Sequence, residues 1–179
     1  MKTLFHLIIF LHATLSFGQS FDASLWVGNY SGIMHLSNLD GVQDQIMVEF
    51  EFKELKKDSS WTYSMRYKSE KLGELLKDYE LIKTTGIQSE FLMNEKNGII
   101  IDLTFLNNCF FSMFEVEGMM HTFTMCLIEG EIRIDLFGSN LKKPTYLSSV
   151  EQEEKSNENQ TVSSFRPLYN QVVILKRTN

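Results

Sequence analysis

Apolar residues recur at every second position through long stretches of this chain, and that period confines it to a β-sheet with one dry face. Ile46, Val48, Phe50 and Phe52 point one way, while Gln45, Met47, Glu49, Glu51 and Lys53 point the other. In the next run Trp61, Tyr63, Met65 and Tyr67 oppose Thr62, Ser64, Arg66 and Lys68. Side chains alternate across a strand, so period two with one polar face means that one face is buried and the other wet. Turn signals punctuate the runs at short intervals: Asp40-Gly41, Lys57-Asp58-Ser59-Ser60, Thr85-Gly86, Asn97-Gly98, Asn107-Asn108, Glu117-Gly118 and Glu129-Gly130. The pattern predicts strands near 25–37, 44–54, 61–68, 78–84, 88–95, 99–106, 109–116, 119–128, 131–137 and 168–177. The two prolines, Pro144 and Pro167, fall near the end and interrupt no earlier pairing. A sheet this wide curls and closes to remove its edges. The fold class expected is all-β, a single antiparallel up-and-down meander barrel with at most one short helix.

Turn chemistry fixes several registers, because a slip of one residue inverts a whole strand. A two-residue turn at Glu117-Gly118 sets Phe114 opposite His121, Ser112 opposite Phe123 and Phe110 opposite Met125. A second at Glu129-Gly130 sets Leu127 opposite Ile132 and Met125 opposite Ile134. At Asn97-Gly98 a two-residue turn would place Glu90 and Asn94 among Ile101 and Phe105. A three-residue loop, Lys96-Asn97-Gly98, with Gly98 left-handed, keeps Phe91 and Met93 on the buried face instead. The first register also places Cys109 directly opposite Cys126 at a non-hydrogen-bonded site, where Cα atoms lie about 4.5 Å apart. That is close to the short limit for a disulfide. The two residues read either as a cross-strand disulfide or as two small buried thiols.

Two segments do not follow the period. Leu72, Leu75, Leu76 and Tyr79 have helical spacing behind Ser69, a good cap, so 69–79 reads as a short helix, with Gly73 counting against it. Residues 139–166 are polar and hold Glu151, Glu153, Glu154, Lys155 and Glu158. They read as a mobile loop or a short solvated helix outside the core.

The start of the chain has Lys2, an apolar stretch from Leu4 to Leu15, and small residues at Ser16 and Gly18. This is the layout of a secretory signal peptide over residues 1–18, cleaved before Gln19. The stretch falls short of the about 20 residues of a membrane span. A single domain over 19–179, secreted or periplasmic, is then expected. The formal net charge of −6 becomes −7 once Lys2 is removed. An acidic chain does not suit nucleic acid or an anionic membrane as a partner.

Catalytic and metal signatures are weak. Only His35 and His121 lie beyond the signal segment, too few for the three or four ligands of a zinc site, so no metal and no cofactor are expected. Gly28-Asn29-Tyr30-Ser31-Gly32 lacks the order of a nucleophile elbow. The pairs Glu49 with Glu51 and Glu115 with Glu117 lie on the wet face. The chain therefore reads as a non-enzyme. Its methionines suit adaptable contact with varied apolar guests as well as ordinary core filling. The expected ligand-binding set is Trp61, Tyr63, Met65, Phe114, His121, Phe123 and Met125, with His121 and Tyr63 as polar anchors. Phe111, Met113, Met120 and Ile128 form an apolar stripe on the opposite face of the same hairpin, which needs a cover from the 139–166 loop or a partner.

The first strand reads Leu25-Trp26-Val27-Gly28-Asn29-Tyr30-Ser31-Gly32, and a Trp with glycines opening a meander barrel resembles the start of the lipocalin-like, or calycin, β-barrels. The long polar insertion before the last strand is similar to the helix that precedes the closing strand of lipocalins. The nearest kind is the lipocalin-like proteins exported by bacteria. The resemblance implies that the Trp plugs the base of the barrel and that the interior takes a small hydrophobic molecule. The leading expectation is thus a lipocalin-like binder of a small apolar ligand. The alternative is a non-catalytic structural or interaction module, an oligomer included, that uses the outer stripe.

Overall fold

The period-two runs become long strands that pair with their sequence neighbours. The computed structural model describes residues 20–71, 73–150 and 160–178. The segment 1–18, expected to be a signal peptide, Leu72 and the acidic stretch 151–159 lie outside them. A 3-10 turn at Ala23–Leu25 leads into β1 (Gly28–Asn38), β2 (Gly41–Phe52), β3 (Glu54–Lys56), β4 (Ser60–Ser69), β5 (Gly73–Lys83), β6 (Glu90–Asn94) and β7 (Ile100–Leu106). There follow β8 (Cys109–Val116), β9 (Met119–Ile128), β10 (Glu131–Asn140), β11 (Tyr146–Val150), β12 (Gln160–Ser164) and β13 (Pro167–Thr178).

Each long strand is antiparallel to the next. β13 returns between β10 and β1, and β2 pairs with β4, so the ten long strands close into a barrel. Short β3 continues the line of β2 and pairs with β4. Closure gives every long strand a partner on both sides and leaves no free edge. A separate hairpin, β11 with β12, stands outside the barrel sheet.

The observed registers follow the turn chemistry. Val116 pairs with Met119 and Phe114 with His121 across Glu117-Gly118. Leu127 pairs with Ile132 across Glu129-Gly130. Met93 pairs with Ile101, the register of a three-residue loop, and Gly98 has φ +102°. Cys109 and Cys126 face each other and are joined as a disulfide with Cα atoms 4.1 Å apart.

Two expectations need correction. The segment 69–79 is not helical: from Gly73 it is β5, paired with β4 from Ser69↔Gly73 to Ser60↔Ile82. Leu75, Lys77, Tyr79 and Leu81 also alternate, and the pairing offered by β4 decides between the two periods. The 139–166 region is neither wholly loop nor helix. Its first residues extend β10 to Asn140, and Tyr146–Val150 pair in register with Gln160–Ser164 as β11 with β12.

One end of the barrel is packed solid with rings. Phe21, from the segment before β1, is the hub: its ring centroid lies 5.0 Å from Trp61, 5.2 Å from Phe91 and Phe105, and 5.3 Å from Phe110. Trp26 and Phe52 complete the layer. Edge-to-face pairs of this kind add about 0.5–1.5 kcal/mol each beyond the burial of their area. Arg177 at the end of β13 fastens the same end. It donates to the Val27 and Leu25 carbonyls and to the Tyr30 hydroxyl, and Tyr30 in turn donates to the Trp26 carbonyl.

The wall allows no side chain at Gly32 in β1. A Cβ there would lie 2.1 Å from the carbonyl oxygen of Ile174 in β13, a backbone atom that cannot swing aside. Gly32→Ala is expected to cost about 1–3 kcal/mol through overpacking. Gly86→Ala, whose Cβ would meet only Glu90 at 3.7 Å, should stay within about 0.5 kcal/mol. Urea midpoints of the two variants check this, and equal midpoints would refute the packing argument.

Candidate ligand cavity

Above the ring layer the inward side chains no longer meet, and a cavity of about 420 Å³ remains. Strand parity decides which residues reach it. On β4 the inward positions are Tyr63, Met65 and Tyr67, and β5 sets Tyr79, Lys77 and Leu75 opposite them. Met34, Ile46, Met93, Ile101 and Leu103 supply apolar wall from the neighbouring strands. Ser112, Phe114, Phe123, Leu136 and Gln171 line the far side. Leu103 is fully buried low in the wall while Leu75 is exposed, so the cavity opens at the end opposite the ring layer.

The expected ligand-binding residues separate by depth. Tyr63, Met65, Phe114 and Phe123 line the cavity. Trp61 and Met125 do not: Trp61 stacks on Phe52 at 6.3 Å in the ring layer, and Met125 is fully buried opposite Phe110 and Ile134. Both point inward, as alternation requires, but at the level where the interior is filled.

His121 is also absent from the cavity wall. It lies behind Phe114, stacked on that ring at 5.1 Å, with its Nδ1 2.5 Å from the Tyr169 hydroxyl. Gly138 makes this reach feasible. It sits between His121 and Tyr169 in the cross-strand row, and a Cβ there would lie 2.4 Å from the tyrosine ring. Tyr67, on the inward face read for its strand, lines the cavity too, whereas Leu75, Lys77, Tyr79, Glu95 and Gln171 do so without having been expected there. The alternation of Leu75, Lys77, Tyr79 and Leu81 held the signal for three of these five, and the helical spacing over the same residues hid it.

The tyrosines are held as neutral donors. Burial, followed by the neighbouring phenols of Tyr67 and Tyr79, pushes the Tyr63 pKa well above its ordinary value. Burial and then Tyr79 raise Tyr67 strongly. Tyr79 is pushed up to about 12, by burial first and then by the charge and hydrogen bonding of Glu95. Ser112 is already committed, donating to the Asp102 carbonyl at 2.7 Å. Among the described residues no group of three or more His, Cys, Asp or Glu side chains is arranged to hold a metal ion.

The outer stripe stays open. Met113 is 71% exposed and Phe111 and Ile128 are exposed beside it, so among the described residues neither the barrel nor the β11–β12 hairpin covers them. No described helix is long and apolar enough to cross a membrane.

A closed antiparallel barrel of ten strands, plugged at one end and hollow at the other, is a lipocalin-like β-barrel. The S-type phycobiliprotein lyase CPES of Guillardia theta has a similar structure, with a TM-score of 0.60 and 7% identity over 88% of this chain and 90% of that one. A protein of unknown function from the DUF3598 family of Nostoc punctiforme is similar at a TM-score of 0.55 and 10% identity, over 89% of this chain. This chain spans half the length of that protein. No family model matches the sequence, and no curated protein does. At these identities the likeness shows the fold alone. It nevertheless corrects the expectation of a non-enzyme, because a protein named as a lyase is built on this barrel.

The buried phenols make stability depend on alkaline pH. Their pKa values are raised in the folded state, so above the ordinary tyrosine value the unfolded chain releases protons that the fold retains. Stability should be level below about pH 10 and fall as pH rises beyond it. Urea midpoints across this range, read with tyrosinate absorbance, check it. A midpoint that rose with pH would reverse the sign.

Proposed function

We propose that this chain is an exported barrel that holds a small, largely apolar molecule in its open-ended cavity. The observation that carries the reading is the 420 Å³ hollow between the ring layer and the mouth. Small-molecule sites run to about 300–1,000 Å³, apolar in the main with a few placed polar groups. At roughly 24 cal/mol per Å³ of void, an empty dry space of this size would forfeit about 10 kcal/mol, comparable with the whole stability of a domain. An apolar occupant restores those contacts, whereas water entering the mouth gains little from Met, Leu and Phe walls. Met34, Met65 and Met93 give the lining the adaptability of unbranched thioethers. Similarity to the barrel of a lyase supports a fold organised around an internal site.

Native mass spectrometry of the purified protein should show excess mass that organic extraction removes. Leu103→Trp, which fills the hollow from its buried wall, should abolish uptake of an apolar fluorescent probe while leaving the fold intact by circular dichroism. A protein that carries no extractable mass and takes up no probe contradicts the reading.

Export rests on Lys2, the apolar run to Leu15 and the small residues at Ser16 and Gly18. The Cys109–Cys126 bond supports it, since disulfides persist in oxidising compartments. Expressed in a bacterial host with its own N-terminus, the protein should be recovered from the periplasm or medium beginning at Gln19. Recovery from the cytoplasm with Met1 retained would remove this part of the proposal.

A further inference from the structure

The mouth of the cavity holds more hydrogen-bond donors than acceptors to receive them. Lys77 points inward from β5, opposite Met65, with Tyr79 and Leu75 on either side along its own strand. Its ammonium lies 5.9 Å from the centre of the Tyr79 ring and meets no carboxylate among the described residues. The outward cations of the same hairpin behave differently: Arg66 pairs with Glu74 and Lys68 with Glu49. Tyr63 and Tyr67 flank Met65 on β4, diagonal to Lys77 across the ladder and within reach of long side chains. The Tyr63 side chain is only 3% exposed and lines the hollow. Tyr67 donates only to the Met65 sulfur, at 3.3 Å, and a thioether is a weak acceptor. Glu95, the carboxylate at this rim, accepts from the Asn97 side-chain amide at 3.2 Å.

A hydroxyl that donates only to a thioether is poorly satisfied, and an unpaired ammonium beside an apolar hollow attracts an anion. We propose that the ligand is an amphipathic acid, with its oxyanion held by Lys77, Tyr63 and Tyr67 at the mouth and its apolar body in the hollow beneath. This rests on the cavity being a ligand site, and it adds the class of ligand and the residues that read it. Hydrogen bonds to an ionised group contribute roughly twice as much as neutral ones, so the charged head carries the selectivity.

The test uses the full chain titrated by fluorescence with cis-parinaric acid, its methyl ester and the matching long-chain amine. The acid is expected to bind at least about tenfold more tightly than the ester, as one or two charge-assisted hydrogen bonds allow. Lys77→Met should bring the ratio close to one while leaving ester binding within about twofold, because only the charged contact is lost. Tyr63→Phe, which keeps the ring, should weaken the acid alone. Equal binding of acid and ester by the unaltered protein would overturn the proposal and leave the cavity reading standing. Tighter binding of the amine would overturn it by shifting recognition to Glu95. Failure of all three probes to bind would remove the cavity reading itself.

Discussion

Backbone pairing that runs unbroken around the sheet is the constraint on which everything else in this protein depends. Once β13 fills the place between β10 and β1, and β2 meets β4, every long strand has two neighbours and the alternation of side chains acquires an inside and an outside. The interior is then a tube of fixed girth. How much of it is solid depends only on the size of the side chains at each level. Rings of Phe and Trp close one end, where Phe21 enters from outside the sheet to take the axis. Higher up, Met, Leu and Tyr are long enough to line the tube without meeting across it.

Much of this was legible in the sequence. The turns at Glu117-Gly118 and Glu129-Gly130, and the longer loop ending at Gly98, each had a single register that kept Phe and Met together, and the observed pairs are those registers. The facing of Cys109 and Cys126 followed from the first of them. Where two periods fitted the same residues, the pattern was blind. Leu75, Leu76 and Tyr79 satisfy a helical stripe as well as a strand, and only the neighbouring β4 selects the strand. Leu76 then lies exposed on the outer wall, which no amphipathic scheme would choose.

Depth was the information that the sequence did not contain. Alternation assigns a side chain to the inner or outer face but not to a height along the barrel. Trp61 and Tyr63 are two residues apart on one face, yet the first is part of the plug and the second part of the cavity wall. His121 shows a further gap between facing inward and touching the hollow, because Phe114 stands across its ring. Phe21 lay outside every strand and carried no periodic signal, although six rings pack around it. Tyr79 was hidden for another reason: it belongs to the run whose helical spacing masked the strand.

The missing side chain at Gly138 gives the rim two unlike fastenings. Because nothing projects from that position, the ring of Tyr169 crosses β10 and clasps His121, tying β13, β10 and β9 together just inside the lip. Across the opening, the hairpin of β4 and β5 is held from outside by ion pairs: Lys71 beside its turn meets Asp44 of β2, Lys68 meets Glu49 of β2, and Arg66 meets Glu74 across the hairpin. The doorway therefore has one jamb fastened by an aromatic clasp on its inner face and another fastened by charges on its outer face, where salt screens them.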